Sequence, residues 1–291
     1  MRKLTLIRAL IIFIATTILI FFPWHFWFEN SVSLRSANLP MSLSHLLGTD
    51  ALGRDQFIRL TMAMYQTIPL LWLAIAIATA SGLFCGVLRI LLGVNGKSQF
   101  FQNVLFLFDS LLVVATSIPI TVISFLVIVY FEADGLGALL FLLWLFVTIR
   151  TYLWVRQSYL ISHELGYWQA NDAIGGSLFK RIFEYGLKRD WFSSLADMFV
   201  FHLKAAIIIE VSLSYLGFGI QEPNPSIGNM LSLQMERFMA GDIIFLFACL
   251  IAIWVACSFP NSAVKLAAFC IQKFQKQTLL RFTSFKFFEQ R

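Results

Sequence analysis

Charged residues are scarce in this chain. Asp, Glu, Lys and Arg together make up 13% of its 291 residues, whereas 59% are hydrophobic. Soluble domains average about one quarter charged residues, so this composition excludes an ordinary soluble fold and indicates an integral membrane protein. The apolar segments, each about 20 residues long, leave only short loops and no room for a separate soluble catalytic domain. We therefore expect the function to reside in the membrane spans and their loops.

Cysteines and nucleotide-binding motifs are also sparse. The four cysteines lie in or beside apolar segments and form no Cys-x-x-Cys pair, which indicates small core hydrophobes and no metal site. The sequence lacks Gly-x4-Gly-Lys-Ser/Thr, the motif whose backbone binds nucleotide phosphates. It also offers no combination of nucleophile, base and metal ligands. We expect no catalytic residue, no metal site and no cofactor bound by this chain.

Six apolar segments predict about six transmembrane helices in an all-α fold. The first segment has the basic start and apolar centre of a signal peptide. It is followed by Phe-Pro-Trp-His, which offers no small-residue cleavage site, so we interpret it as an uncleaved span. The six segments lie at about residues 4–22, 68–92, 104–130, 137–156, 196–218 and 243–263.

The basic residues are divided unequally between the two sides of these spans. With both termini on one side, that side holds most of the 22 Lys and Arg residues, and the opposite side holds only Arg35, Arg54, Arg59 and Arg237. Lys204 lies deeper within a span. The positive-inside rule then predicts that both termini are cytoplasmic. The net charge of +6 indicates contact with anionic membrane lipids, and we expect no nucleic acid partner.

This topology divides the chain into three parts. Residues 1–67 hold the first span and an extracytoplasmic segment, and residues 68–265 hold five further helices. Residues 157–195 form the one sizeable loop between spans on the predicted cytoplasmic side. Residues 266–291 combine basic and aromatic side chains, which predicts a cytoplasmic tail lying along the membrane surface.

A polar segment, His-Leu-Leu-Gly-Thr-Asp-Ala-Leu-Gly-Arg-Asp, stands out after the first span. Asp50 and Arg54 are four residues apart, as are Asp55 and Arg59. This spacing predicts a short helix that pairs opposite charges after an entry turn at residues 48–49. Packing alone would explain these residues, and a role at the outer mouth of a transport path is the alternative.

The polar segment resembles the one after the first span in C-type permease subunits of peptide and nickel ABC transporters. The oligopeptide and dipeptide permease C proteins are the most similar members of that family. The resemblance implies a gate or collar at the outer mouth that contacts a substrate-binding protein. The residues of this extracytoplasmic motif are His45, Gly48, Thr49, Asp50, Gly53, Arg54, Asp55 and Arg59.

A second segment of the same subunits, Glu-x2-Leu-Ser-Phe-Leu-Gly-Leu-Gly-x-Gln-x-Pro-x-Pro-Ser-Trp-Gly-Asn-Met-Leu, is similar to residues 210–231. Glu210 lies in an apolar helix, where a charge costs about 3 kcal/mol or more unless it is paired or faces water. Lys204 is six residues away, a spacing that does not pair side chains on a helix, so we expect Glu210 to face the interior. Glu210 and Ser214 are candidates for the translocation path, and hydrogen bonding between helices is an equal alternative for Glu210.

The predicted cytoplasmic loop contains Gln-Ala-Asn-Asp-Ala-Ile-Gly, which resembles the Glu-Ala-Ala-x3-Gly loop of ABC importer permeases. Two glycines separate two helix-capable stretches, the second of which has an apolar face beside basic residues. The same pattern is typical of an amphipathic helix on the inner leaflet. The resemblance instead implies docking to a cytoplasmic ATPase. The candidate coupling residues are Gln169, Ala170, Asn171, Gly175, Gly176 and Leu187, with Gln169 in place of the family's Glu.

The similar segments cover nearly the whole chain in span order. A weaker one begins at Asp109, where Asp-Ser-Leu-Leu fits the start of the third-span pattern Asp-x-Leu-Leu-x-Ile-Pro. The resemblance implies a type I ABC importer permease fold and a multi-pass subunit that moves peptides across the bacterial inner membrane. Its implied partners are a homologous B-type permease, cytoplasmic ATPase subunits that hydrolyse ATP with Mg, and a periplasmic or other extracytoplasmic substrate-binding protein.

Three alternatives stay open at this point. A Sap-type permease for antimicrobial peptides or polyamines belongs to the same subunit class, and so does a nickel permease. From a different class, a non-transporting membrane scaffold or permease remnant would fit the departures from the loop pattern at Gln169 and Lys188.

Overall fold

The computed structural model of the chain describes residues 2–21, 32–95, 98–131, 135–177, 182, 191–239, 241 and 243–288. Within these ranges the regular structure is helical and includes no β-strand, as predicted. A short 3-10 turn, Leu34–Ser36, precedes α2. The helices are α1 (Arg2–Phe21), α2 (Gln56–Asn95), α3 (Gln99–Ala115), α4 (Ile120–Phe131), α5 (Gly135–His163), α6 (Gly166–Ala173), α7 (Phe192–Tyr215), α8 (Ile227–Leu233), α9 (Met235–Met239) and α10 (Ile244–Phe288).

Four helices in the described part of the chain are long and apolar enough to cross a membrane. They are α2, α5, α7 and the first 24 residues of α10. The bent pair α3 and α4 adds a fifth if it is counted as one span. The 20-residue helix α1 coincides with the first predicted segment. At the other end, α10 continues as a helix through most of the predicted tail.

The predicted continuous span at residues 104–130 is wrong, because the chain bends by 81° between α3 and α4. Pro119, directly before α4, has no N–H to continue a helical hydrogen-bond ladder. The hydroxyl groups of Thr116 and Ser117 both donate to the Val113 carbonyl, at 3.1 and 3.0 Å, and so compete with the backbone. These local hydrogen bonds end α3 inside an apolar run that hydropathy alone does not divide.

Helices α2 and α5 pack with their backbones in close contact. A Cβ atom added at Gly82 would lie 2.5 Å from Thr151 Cβ, and one added at Gly86 would lie 2.6 Å from Val155 Cβ. The two glycines are four residues apart on one face of α2, the spacing that lets membrane helices approach closely. This pair was not identified from the sequence.

The main hydrophobic core lies between α2, α7 and α10, and α1 covers α10 on its outer side. Phe13 of α1 stacks on Phe259 of α10, with ring centroids 5.3 Å apart. Cys249 is fully buried in this core, as predicted, whereas Cys85 is exposed on α2 and corrects the prediction for that residue. Because α7 is packed on several sides, its polar residues His202, Glu210 and Ser214 are buried.

Candidate functional site

Residues 45–55 form a folded turn and not the predicted short helix. The carboxylate of Asp50 accepts hydrogen bonds from the backbone nitrogens of Leu52 and Arg54, at 2.9 and 2.8 Å. Gly53 has a φ of +74°, a left-handed conformation that a helix does not contain. The helix prediction is wrong because these local bonds satisfy the backbone in a turn. The Asp50–Arg54 pair nevertheless forms, with Arg54 Nε 2.7 Å from Asp50 Oδ2.

The second predicted pair, Asp55 with Arg59, is replaced by other contacts. Asp55 Oδ1 accepts the backbone N–H groups of Phe57 and Ile58, at 2.8 and 3.1 Å, and so caps the first turn of α2. Its second carboxylate oxygen lies 2.8 Å from His45 Nδ1. The carboxylate therefore points toward the start of the helix, and the predicted pair is wrong.

The two arginines instead share a carboxylate from a distant part of the chain. Glu222, between α7 and α8, accepts a hydrogen bond from Arg54 Nη1 at 3.0 Å and another from Arg59 Nη2. The Arg59 side chain is only 3% exposed, and its Nη1 lies 3.5 Å from Asp50 Oδ2. Two guanidinium groups and three carboxylates therefore lie together at the start of α2. We call the group the Arg–Glu cluster, and its members are His45, Asp50, Arg54, Asp55, Arg59 and Glu222.

Thr49 is the buried centre of the segment before α2, with 0% exposure. Its hydroxyl oxygen accepts the Leu39 N–H at 2.8 Å. Its carbonyl accepts from Gln56 Nε2 at 3.1 Å and from Arg237 Nη1 at 2.8 Å. Gly48 beside it has a φ of +72°, and a Cβ there would lie 2.5 Å from the Leu39 carbonyl oxygen. The segment is thus fixed both to α2 and to α9.

Glu210 lies in the last part of α7 and is 2% exposed. Ser214, one turn later, donates its hydroxyl hydrogen to Glu210 Oε1 at 2.7 Å and accepts the Ile220 N–H at 3.0 Å. Gly228 packs against the same turn, since a Cβ there would lie 2.2 Å from the Val211 carbonyl oxygen. The chain that follows α7 therefore folds back over Glu210.

The start of α8 is closed by reciprocal hydrogen bonds. Ser226 Oγ accepts the Asn229 N–H at 3.1 Å, and Asn229 Oδ1 accepts the Ser226 N–H at 2.9 Å. Asn229 Nδ2 also donates to the carbonyls of Ile220 and Asn224, at 3.1 and 2.9 Å. These contacts fix the loop after α7 and so position Glu222 for the two arginines.

Helix α6 and the turn after it hold five of the six candidate coupling residues. Gln169 and Ala170 are exposed, whereas Asn171 is 5% exposed. Gly175 has a φ of +72°, and a Cβ there would meet nothing within 4 Å. Gly176 donates its N–H to the Asn171 carbonyl at 2.8 Å. The chain thus leaves α6 through a left-handed glycine that faces open space.

Two tryptophans that were not singled out in the sequence anchor α6. Trp168 is fully buried, and its ring lies 6.2 Å from that of Trp191, which precedes α7. Trp191 Nε1 donates to Ser162 Oγ on α5 at 3.0 Å, and Ile182 belongs to the same buried cluster. Leu187 and most of the second predicted stretch of the loop lie outside the described residues. The signal was two tryptophans inside a loop predicted to lie outside the membrane.

A buried carboxylate joins α2, α3 and α5, and its partners were not predicted. Asp109 is 3% exposed at its side chain and lies 2.9 Å from Arg89 Nη2 and 2.8 Å from Arg156 Nε. Tyr152 donates its hydroxyl hydrogen to Asp109 Oδ1. An acidic residue inside an apolar segment was the readable signal, because a charge there is costly without partners. The sequence did not reveal which basic residues these partners are.

Comparison with known proteins finds similarity to permease proteins of peptide transport systems. No protein-family profile matches it. The protein named "probable D,D-dipeptide transport system permease protein" in Escherichia coli K12 is 27% identical over 270 residues, which cover 91% of this chain and 82% of that protein. The oligopeptide transport system permease protein of Bacillus subtilis strain 168 is 27% identical over 79% of this chain and 73% of its own length. The dipeptide transport system permease protein of the same organism is 27% identical, over 72% of this chain and 62% of its own length.

Proposed function

Since the curated homologues of this chain are C-type permease subunits of dipeptide and oligopeptide ABC transport systems, we propose that it is the permease subunit of an ATP-driven peptide transporter. The observation that carries the proposal is similarity over 91% of the chain, which includes both motifs that meet in the Arg–Glu cluster. The homologues are permeases and not ATPases, so the contribution of this chain is conformational. We place it in the bacterial inner membrane as a multi-pass protein.

The proposed topology has six spans and the type I importer fold, with both termini in the cytoplasm. Helix α1 supplies the first span, and α3 with α4 supplies a bent third span. Residues 1–67, 68–265 and 266–291 then correspond to the first span with its outer segment, the five-helix domain and the tail. Contact between Arg54 and Glu222 supports this topology, because it joins two segments that the proposal places on the same outer side.

Energy coupling is proposed to occur at α6. This helix presents Gln169 and Ala170 on its surface while Trp168 fixes it to the subunit. A short helix with one anchored face and one exposed face can enter a cleft of a cytoplasmic ATPase and transmit its closure to α5 and α7. The ATPase subunits hydrolyse ATP with Mg, and Gly175, Gly176 and the undescribed Leu187 complete the docking loop.

The Arg–Glu cluster is proposed as part of the collar that faces the extracytoplasmic substrate-binding protein. Its buried ion pairs make the outer segment rigid, which a docking surface for a delivering protein requires. A homologous B-type permease would complete the path beside this subunit. Glu210 and Ser214 lie beneath this collar, and their burial supports a role in holding the loop after α7 in place.

Reconstitution tests the proposal. The complex of this chain with its B-type permease, ATPases and binding protein is placed in liposomes, and ATP-dependent uptake of labelled di- and oligopeptides is measured. The expected result is uptake by the complete complex and none by a complex that lacks this chain. Uptake of Ni²⁺ or a polyamine in place of peptides would overturn the substrate assignment. Assembly with the ATPases without any transport would identify a scaffold or remnant.

A further inference from the structure

A cavity of about 730 Å³ opens between α5, α7 and the break that separates α3 from α4. None of the residues that line it belongs to the Arg–Glu cluster, to α6 or to the motifs. Part of its wall is apolar and includes Phe146 and Phe201. The polar residues on its wall are Thr116, Thr121, Arg150, Gln157 and His202.

The broken helix supplies one side of this cavity. Arg150 Nη2 donates to the carbonyl of Thr116, in the irregular turn, at 2.9 Å. Irregular backbone at membrane depth is tolerated only where it is buried in protein or lines a water-filled cavity. The 12-residue helix α4 begins at Ile120, and its first two residues line the cavity. The unpaired N–H groups of a helix start carry partial positive charge, so this wall favours an anion.

Arg150 adds a full positive charge to the same wall. Its guanidinium lies over the Phe146 ring, 5.3 Å from the ring centroid. No carboxylate among the described side chains forms an ion pair with it. It lies within α5 and within the predicted span at residues 137–156, six residues from the cytoplasmic end of that span. An ionisable residue that lies within a span and lines a cavity points to a functional site.

His202 is a second, independent indication of a ligand. It is 6% exposed, and its Nδ1 has no hydrogen-bond partner among the described atoms. It lies ten residues after the start of α7 at Phe192 and lines the same cavity as Arg150. Buried polar atoms in folded proteins are nearly always hydrogen-bonded, so this nitrogen requires a partner beyond the described atoms, such as a water or a bound group.

We propose that this cavity binds the free carboxylate of a peptide on its way through the transporter. The Arg150 guanidinium supplies the main charge, because its planar fork matches a carboxylate. The start of α4 and the His202 ring supply further donors. The inference rests on the proposed function and adds a substrate feature to it. Because the wall is positive, it disfavours Ni²⁺ and polyamines as cargo.

Paired variants and paired peptides test the contact. Uptake of one labelled peptide is compared with uptake of its C-terminal amide in complexes that carry the native chain or Arg150→Gln. We expect the variant to lower the uptake efficiency of the acid by roughly tenfold or more and that of the amide by less than about twofold, since a charge-assisted hydrogen bond is lost. Arg150→Lys should retain part of the preference for the free-acid peptide over its amide. Lys204→Gln, on α7 outside the cavity lining, should leave the preference intact.

The outcomes separate the two levels of the proposal. If the native complex moves neither peptide, the proposed function fails. If it moves peptides but Arg150→Gln lowers uptake of acid and amide equally, the carboxylate site is overturned while the proposed function stands. The binding protein, whose own preference is the same in both complexes, cannot produce a difference between them.

A second measurement leaves Arg150 in place, in case its substitution prevents assembly. Thr121→Cys puts a thiol on the first turn of α4 at the cavity wall. Labelling of this thiol by a small maleimide is followed in the reconstituted complex, with the native chain reporting the other cysteines. Protection by the free-acid peptide and not by its amide supports the site. Equal protection by both peptides, or protection by anionic lipid alone, would overturn it.

Discussion

Arg54 and Glu222, 168 residues apart in the chain, form an ion pair in which Nη1 lies 3.0 Å from Oε2. Glu222 also accepts a hydrogen bond from Arg59, on the first turn of α2. The segment before α2 and the loop after α7 are therefore one structural unit. Without Glu222, Arg54 and Arg59 would share the single carboxylate of Asp50, so the first motif depends on the second.

Glu222→Gln should destabilise this unit. The variant removes the shorter of the two carboxylate contacts of Arg59, whose side chain is 3% exposed, and leaves Asp50 Oδ2 at 3.5 Å. We expect the free energy of unfolding in detergent to fall by roughly 1–3 kcal/mol, as for other hydrogen bonds to charged groups. Glu164→Gln, at an exposed carboxylate after α5, is the matched control and should have little effect. Equal stability of the two variants would contradict the role assigned to Glu222.

Ser214→Ala and Ser212→Ala form a matched pair on α7. Ser214 Oγ bonds both Glu210 and the Ile220 N–H, whereas the exposed Ser212 bonds only the Ile208 carbonyl of its own helix. Removal of the Ser214 hydroxyl leaves a buried carboxyl and a buried N–H without that partner, so we expect the free energy of unfolding to fall by roughly 1–3 kcal/mol. Ser212→Ala should change the free energy of unfolding by less than about 0.5 kcal/mol. Denaturant or thermal unfolding distinguishes them.

Asp109→Asn tests the buried cluster between α2, α3 and α5. The substitution leaves Arg89 and Arg156 close together without their shared anion. We therefore expect the free energy of unfolding to fall by roughly 3 kcal/mol, or the subunit to fail to assemble. Asp197→Asn, at an exposed position on α7, provides the comparison. If Asp109→Asn retained native stability, the cluster would not hold the three helices together.

Gly175→Pro should uncouple ATP hydrolysis from transport if α6 docks to the ATPase. Proline fixes φ near −65°, whereas Gly175 has a φ of +72°, so the turn after α6 must change. The Cβ position faces open space, and the spans should be unaffected. Gly166→Ala, in open space at the start of α6, is the control. ATPase activity and peptide uptake are measured in the assembled complex, and unchanged coupling would place energy transfer elsewhere.

Local features of the fold followed from the sequence. Apolar segments long enough to cross a membrane can be recognised from composition, so α1, α2, α5, α7 and α10 each overlap a predicted span, although α2 and α10 extend well beyond theirs. The pair of Asp50 with Arg54 was predicted because four residues of spacing are visible in one dimension. The type of local structure was wrong there, since hydrogen bonds from the Asp50 carboxylate favour a turn over a helix.

Contacts between distant residues could not be read in the same way. Nothing near Glu222 in sequence indicates its two arginines, and nothing near Asp109 identifies Arg89 and Arg156 as its partners. The bend before α4 was missed because hydropathy shows one continuous apolar segment there. Side-chain hydrogen bonds and one proline end the helix within that segment. The ion pairs of Glu222 and Asp109 depend on which segments become neighbours, and helix hydropathy alone does not determine that arrangement.

The close contact at Gly82 and Gly86 also limits how α2 and α5 can move relative to each other. At these two glycines the α2 backbone lies directly against Thr151 and Val155, so movement of one helix along or around the other would produce a steric clash or a cavity. Helices α2 and α5 therefore form one rigid unit. We therefore expect any shape change of the subunit to move α2 and α5 together.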